Sequence, residues 1–511
     1  MPAKSVYKVL LVAIAGSFMV ALDQTIMNVA LPHIIAVFNE TTDRAQLVVS
    51  AYLMATAIST PAAAFLASRF GIKKVYMFSQ GAFLLGSVLC GVAWDLQALI
   101  AFRVLQGLSG GLLMPLSMTF LFNNVPPEER GTAMGIFGIP ILLGPAIGPT
   151  LGGYLVDVWS WRMVFYVNVP VVLAALAIGY LWIEDTPTTI SSFDYKGFAL
   201  AAAGLSAILY GLSYAPSWHW NDWRIITLLS GGGACVLAWI IIELREKKPL
   251  LDLTMFKYGG FSLGIGLSFV TTVGLFSLEF LLPLFLQNLR GFSALHSGLM
   301  VLFQALGAMV TMPISGRLYD KIGPRIPAIA GLVLTGLTSL WMQNIDIFTP
   351  DDALRMVLFI RGMGLGLAMM PVMTYALSAV PEKMTTQASS LMMVCRTLFA
   401  SLGVAVFATM LDNFQKTNLA MMVQTVTPDS AIALRVISQI QVYLMQSGIA
   451  ADTARNQAVV FLYQFVSLRS SVTAFETDYV IGAILLLVSI IPAMLLPATP
   501  STRSGAHEMA V

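Results

Sequence analysis

Charged side chains are scarce in this sequence. They make up 11% of its 511 residues, whereas soluble globular chains carry about 25%. The deficit excludes an ordinary soluble domain and points to a bilayer. Histidine is rarer still: His33, His219, His296 and His507 all fall at expected helix ends or in loops, where interfacial roles fit better than catalytic ones. The three cysteines, Cys90, Cys235 and Cys395, lie inside apolar segments. They exclude a secreted-type disulfide framework, and the lack of a CxxC or Cys/His cluster removes the usual signs of a metal site. The net charge of +2 comes without a basic patch, which argues against nucleic acid as a partner. No Walker A sequence occurs, so ATP is not the direct energy source. No polar stretch is long enough for a soluble enzyme domain, and neither a cofactor nor a catalytic residue is expected.

What is abundant is apolar: 57% of the residues are hydrophobic. Runs of about 20 apolar residues, each long enough to cross a hydrocarbon core, recur along nearly the whole chain. The pattern predicts an all-α polytopic membrane protein with fourteen spans, near 9–32, 46–67, 75–94, 97–121, 131–155, 162–183, 195–214, 223–244, 260–286, 297–318, 326–343, 354–376, 387–411 and 477–498. The opening "MPAKSVYKVLLVAIAG" has the basic start of a signal peptide, but its apolar run is too long and lacks a small-residue cleavage site. It reads as a retained first span.

Charge fixes the direction. With a cytoplasmic N-terminus, one side collects Lys4, Lys8, Arg69, Lys73, Lys74, Arg130, Lys196, Arg245, Lys247, Lys248, Lys257, Arg317, Lys321, Arg325, Lys383 and Arg503. The short loops opposite hold Arg44, Arg162, Arg224, Arg290 and Arg355. The positive-inside rule then predicts both termini in the cytoplasm. The one long loop, about 412–475, falls outside. Within it "ALRVISQIQVYLMQSG" and "ARNQAVVFLYQFVSLR" read as two amphipathic helices on the membrane surface or capping the outer face.

The chain repeats itself. "FLASRFGIKKVYM" after the second span and "ISGRLYDKIGPRIPA" after the tenth share basic residues spaced around a glycine: Arg69-x-Gly71-x-Lys73 and Lys321-x-Gly323-x-Arg325. "RVLQGLSGGLLMP" with "VPPEERGTAMG" returns as "RGMGLGLAMMP" with "VPEKMTTQASS". The parse is an N-terminal six-helix half (1–190), two linker spans (191–257) and a C-terminal six-helix half (258–511). Repeated halves with a site between them are a transporter architecture.

Three signatures carry a family resemblance: "LDQTIMNVALPHI" in the first span, "GRLYDKIGPR" in the second-half loop, and "GIFGIPILLGPAIGPTLGG" in the fifth span. With them the chain resembles the fourteen-spanner drug:proton antiporters of the major facilitator superfamily, the EmrB/QacA-type multidrug exporters. The resemblance implies a proton-coupled exporter of amphiphilic, cationic small molecules, working by alternating access in a bacterial cytoplasmic membrane. A dedicated exporter of one endogenous metabolite, lipid or siderophore is the alternative. The implied partners are the lipid bilayer, small-molecule substrates and protons. The resemblance also allows a periplasmic adaptor and an outer-membrane channel, which some relatives have. The fifth-span motif (Gly135, Gly144, Pro145, Gly148, Pro149, Gly152 and Gly153) separates exporters from importers in the family. Its loop motifs (Arg69, Gly71, Lys73, Gly316, Asp320, Lys321, Gly323 and Arg325) gate the transporter. The first loop departs from the pattern, with Ser68 where an Asp is usual, so an acidic latch is expected only at Asp320.

Five ionisable residues inside spans are singled out: Asp23, Arg103, Glu279, Arg361 and Arg396. A lone Asp there costs about 2.5–3.5 kcal/mol on insertion scales, so a partner is expected. Asp23 lies roughly 12 Å from the outer end of the first span and Arg103 roughly 9 Å into the fourth, at 1.5 Å per residue. Glu279 and Arg361 repeat the arrangement in the ninth and twelfth spans. Two pseudo-symmetric acid–arginine pairs are therefore predicted. A carboxylate whose arginine contact changes between conformations exchanges protons; a static ion pair that only fixes helix register is the competing reading. Gln24, Asn28, Gln106 and Arg396 are the expected polar lining of the cavity. "GLSGG" at 107–111 fits Gly-x-Ser-x-Gly, but no histidine lies at membrane depth to activate Ser109, and helix packing explains the glycines better. Gly144, Gly148 and Gly152 recur every four residues and give the fifth span a smooth face for close helix contact, while Pro145 and Pro149 allow it to bend.

Overall fold

In the computed structural model, residues 3–184, 188, 193–246, 249–425 and 430–499 are described. The boundary at 190/191, Lys247, Lys248 and the tail with Arg503 lie outside the described residues. The described chain is helical throughout, with no strand. The N-terminal half comprises α1 (Ala3–Phe38), α2 (Thr42–Ser59), α3 (Ala62–Phe70), α4 (Ile72–Gly91), α5 (Leu96–Asn124), α6 (Arg130–Val158), α7 (Met163–Tyr166) and α8 (Asn168–Trp182). Two helices follow, α9 (Tyr195–Trp218) and α10 (Trp223–Arg245). The C-terminal half holds α11 (Gly259–Leu284), α12 (Ala294–Ile322), α13 (Arg325–Trp341), α14 (Asp351–Ser378), α15 (Thr385–Thr425), α16 (Ala431–Gln446), α17 (Ala451–Val488) and α18 (Ile490–Ala493).

Twelve of the described helical segments are long and apolar enough to cross a membrane, and the bent pair α2–α3 makes a thirteenth if it is one span. The 20-residue α4, whose first turn carries Lys73 and Lys74, is not among them, so fourteen spans is a count that length and apolarity alone do not reach. The expected single span 46–67 is broken by 53° between α2 and α3. Pro61 sits at this break and has no N–H to continue the ladder.

The largest departure is the expected outer loop. Instead of a connection over 412–475, α15 continues to Thr425 and the last span begins at Ala451, as the start of the 38-residue α17. The first expected amphipathic segment is the separate helix α16. The second is part of α17. No proline interrupts residues 451–488, and their only glycine is Gly482, so nothing in the sequence ends the helix at the membrane boundary. The two extended spans and α16 form a projecting hairpin. It marks one end of the bundle; the opposite end carries the turn at Arg130 and the start of α15.

The repeat is visible in side-chain contacts. Thr56 on α2 and Thr60 just after it donate to the carbonyls of Gly107 and Gly111 on α5, at 3.3 and 3.1 Å. Thr311 and Ser315 on α12 donate to the carbonyls of Met363 and Leu367 on α14, at 2.8 and 2.9 Å. Small residues let these backbones approach, which is how helices associate where apolar burial gives no drive. Gly71 and Gly323, in the repeated loops, both take left-handed φ values, 89° and 82°, which glycine adopts without a Cβ clash.

Candidate functional site: two buried acid clusters and the helix between them

Asp23 and Arg103 are both fully buried and form a direct ion pair, Arg103 Nη1 donating to Asp23 Oδ2. The partner oxygen, Oδ1, accepts from Gln106 Nε2 at 3.1 Å and from Asn168 Nδ2 at 3.0 Å. Arg103 Nη1 also donates to Gln106 Oε1 at 3.0 Å, and its Nε to the Val48 carbonyl at 3.3 Å. Its guanidinium carbon lies 4.1 Å from the centre of the Tyr52 ring, in cation–π range. Ser87 accepts from Asn168 at 2.9 Å and donates to the Phe165 carbonyl at 2.9 Å. One acid is thus satisfied by three donors drawn from α5 and α8.

The local sequence explains the convergence. Asp95 caps α5, accepting from the Ala98 amide at 2.7 Å, which starts the helix two turns before Arg103. Gln106 follows three residues later and shares its face. A methyl group on Gly107 would collide with the Tyr52 carbonyl, so this glycine is what lets α2 bring Tyr52 and Val48 onto Arg103. Gly86 does the same for α4: a Cβ there would sit 3.0 Å from Gln106 Cα. Asn168, Ser87 and Tyr52 escaped the sequence reading. The only signal was a lone asparagine in the apolar run "YVNVPVV".

The second cluster is built differently. Glu279 is half-buried and accepts one hydrogen bond, from Gln304 Nε2 at 3.0 Å. Arg361 is fully buried but does not touch it. Its Nη1 donates to Gln304 Oε1 at 3.1 Å and its Nε to Ser339 at 3.2 Å. The direct glutamate–arginine pair drawn from the sequence is therefore replaced by a glutamine bridge. Arg361 and Arg396 both lie within electrostatic range of Glu279. Arg396 packs its guanidinium 5.4 Å from the Phe276 ring centre, with Nη2 4.0 Å from Met369 Sδ. A further acid, Asp478 on α17, is fully buried, and neither of its oxygens has a hydrogen-bond partner; the sequence reading passed over it.

Between the clusters runs α6 with its glycine motif. Methyl groups at Gly144, Gly148 and Gly152 would press on Leu22, Thr25 and Ile26 of α1, the residues flanking Asp23. Gly153 is looser, its nearest atom being Val29 Cγ1 at 3.9 Å. Toward its other end, α6 packs on α12: Gly135 meets the Met312 carbonyl, and Gly131 and Gly316 face each other. Pro140, Pro145 and Pro149 lie within α6. The helix therefore touches the Asp23 helix on one face and the other half of the protein on the other.

Asp320 clasps the start of α6. It accepts from the Gly131 and Thr132 amides at 2.8 Å each and from the Thr132 hydroxyl at 2.6 Å. A carboxylate at a helix N-terminus satisfies its free amides and meets the positive end of its dipole. Beside it Arg130 pairs with Glu382 of the other half at 2.6 Å. At the corresponding position of the first-half loop, Ser68 donates within its own helix, to the Phe65 carbonyl at 2.9 Å. Arg69 lies 5.9 Å from the Phe70 ring centre, Lys73 5.5 Å from that of Tyr180, and Arg325 donates to the Leu496 carbonyl. Lys321 is exposed, as is Asn28, while Gln24 is half-buried.

A helical bundle with repeated halves and acid–arginine clusters buried in its spans is the build of a membrane transporter. The comparisons specify which kind. Residues 13–404 match the Major Facilitator Superfamily, and the chain belongs to that family. It is 32% identical over 499 residues to the MFS-type transporter YhcA of Bacillus subtilis (strain 168), covering 97% of this chain and 93% of that one. It is 30% identical to the multidrug export protein EmrB of Escherichia coli (strain K12), covering 87% and 88%. The solved structure of the human organic anion transporter MFSD10 superposes with a TM-score of 0.60 at 14% identity, over 95% of this chain and all of that one; this last likeness is one of fold. The protein is a multi-pass membrane transporter.

Proposed function

We propose that the protein is a proton-coupled exporter of amphiphilic, cationic compounds in a bacterial cytoplasmic membrane. The observation that carries the proposal is the Asp23–Arg103–Gln106–Asn168 cluster seated against the glycine face of α6. Proton coupling needs an acid whose affinity for a proton depends on which side the cavity faces. Asp23 is held by groups from α5 and α8, and its helix is packed on α6, which also contacts the other half. A rocking of the halves moves those groups relative to the carboxylate. Removing the Arg103 contact leaves a buried acid that takes a proton; restoring it expels the proton.

In this reading Glu279 is a second proton site, and both termini and the Asp320 clasp face the cytoplasm. The chain crosses fourteen times, with α4 counted as a span because it packs between α5 and α8. Asp320 and the Arg130–Glu382 pair hold the cytoplasmic side shut, which makes this the outward-facing arrangement. The export direction is supported by similarity to the multidrug export protein EmrB. The projecting hairpin of α15, α16 and α17 would then stand outside, where an adaptor protein would meet it.

The test is an efflux screen. Cells expressing the protein are challenged with structurally unrelated lipophilic cations, with and without a protonophore. Protonophore-sensitive resistance to several compounds is the expected result. Protection against a single metabolite or lipid would favour the dedicated exporter, and resistance insensitive to the protonophore would contradict proton coupling.

A further inference from the structure

The seam between α6 and α12 changes character along its length. At the end clasped by Asp320 the two helices meet glycine to glycine, at Gly131 and Gly316. At the hairpin end the same pair borders an open groove of about 480 Å³. Ile147 and Leu151 of α6 and Leu295 and Leu302 of α12 make it apolar. Three groups break that character. Thr150 Oγ1 is buried without a hydrogen-bond partner. Tyr154 is 57% exposed, so its ring is available to a ligand. Asp157, in the last turn of α6, is exposed and has no ion-pair partner among the described residues. The volume lies within the range of small-molecule sites.

The chemistry of this lining selects its occupant. Apolar walls exclude sugars and other strongly hydrated solutes, whose polar groups would lose water without replacement. One unpaired carboxylate at the open end attracts a positive charge, and the tyrosine face adds a cation–π contact. A lipophilic body with a single positive head meets both requirements. A neutral amphiphile uses only the walls, and an anion is repelled.

We propose that this groove is a second, peripheral binding site for amphiphilic monocations, distinct from the Asp23 cluster, from which cargo leaves along the seam between the halves. The inference rests on the exporter reading for the identity of the cargo, but its occupancy does not depend on transport. Because one wall belongs to each half, closure of the outer side narrows the groove and expels what it holds.

The test is photolabelling of the full-length protein in lipid nanodiscs with an azide-bearing benzyl triphenylphosphonium, with the labelled peptides mapped by mass spectrometry. Labelling is expected on peptides containing residues 147–158 and 295–302. Asp157→Asn should weaken it about fivefold, the size of one exposed ion pair, and Tyr154→Ala about threefold. Asp157→Glu should restore it, which separates lost charge from lost fold. An uncharged azide of the same bulk should be indifferent to Asp157→Asn. Equal labelling by the phosphonium in wild type and Asp157→Asn would overturn the proposal, as would labelling confined to other peptides. Asp23→Asn should leave groove labelling intact. Loss of transport in that variant with labelling retained bears on the exporter reading alone.

Discussion

The two halves place an acid and an arginine at corresponding positions yet hold them differently. In the N-terminal half Asp23 is fully buried and receives Arg103, Gln106 and Asn168 directly. In the C-terminal half Glu279 is half-buried, receives only Gln304, and is separated from Arg361 by that same glutamine. The repeated loops are asymmetric in the opposite sense. Asp320 of the second half engages α6 of the first, while Ser68 of the first half donates within its own helix. One half thus carries the tightly held acid and the other carries the clasp. A repeated sequence has been divided into two tasks, with α6 touching both.

The sharpest way to break this comparison is to remove each arginine. Arg103→Met strips the direct ion partner from a buried carboxylate and should cost about 3–5 kcal/mol. Arg361→Met removes hydrogen bonds to Gln304 and Ser339 and a charge that Glu279 feels without direct contact, and should cost about 1–3 kcal/mol. Denaturant unfolding of both variants in one detergent measures the difference, and equal losses would erase the distinction between the halves.

Next in size is the seam. Gly148→Val places a branched side chain against Thr25, and overpacking should cost about 1–3 kcal/mol. Transport should fall further than stability, since α1 and α6 can no longer rearrange. A thermal shift alongside a transport assay separates the two effects.

The amides give smaller and more even effects. Asn168→Ala and Gln304→Ala should each cost about 1 kcal/mol, but with different consequences. Asn168→Ala leaves Asp23 its arginine, so coupling survives weakened. Gln304→Ala removes the hydrogen bond to Glu279 and the link to Arg361 together. Transport measured against pH distinguishes them: Gln304→Ala should displace the profile and Asn168→Ala should leave its position nearly unchanged.

The clasp gives an effect of similar size. Asp320→Asn keeps one acceptor oxygen and loses the charge, worth about 0.3–1 kcal/mol at a helix terminus. It also turns an NH2 group toward one of the two α6 amides that the carboxylate accepts from, worth about 1 kcal/mol more. Its effect should also show in conformation, as increased labelling of cysteines introduced at the clasp end of the bundle.

Much of this was legible in the sequence, and the reasons differ by feature. Spans follow from apolar length alone, so their existence was readable while the α2–α3 break, set by Pro61, was not drawn. Asp23 and Arg103 could be matched because depth along a helix is countable. Glu279 and Arg361 also match in depth, but depth does not say which way a long side chain turns, and Gln304 takes the position between them. Asn168 and Ser87 are single polar residues among many and acquire meaning only through a neighbour. The hairpin was misread because amphipathic stretches on either side of a membrane boundary look separate, although an uninterrupted backbone joins them in α17.

The most direct test of proton exchange at Asp23 uses purified protein in liposomes with an imposed pH gradient, following counterflow of a lipophilic cation for wild type and Asp23→Asn. Gradient-driven transport should be present in the first and abolished in the second, with substrate binding partly retained. Undiminished gradient-driven transport by Asp23→Asn would contradict the account.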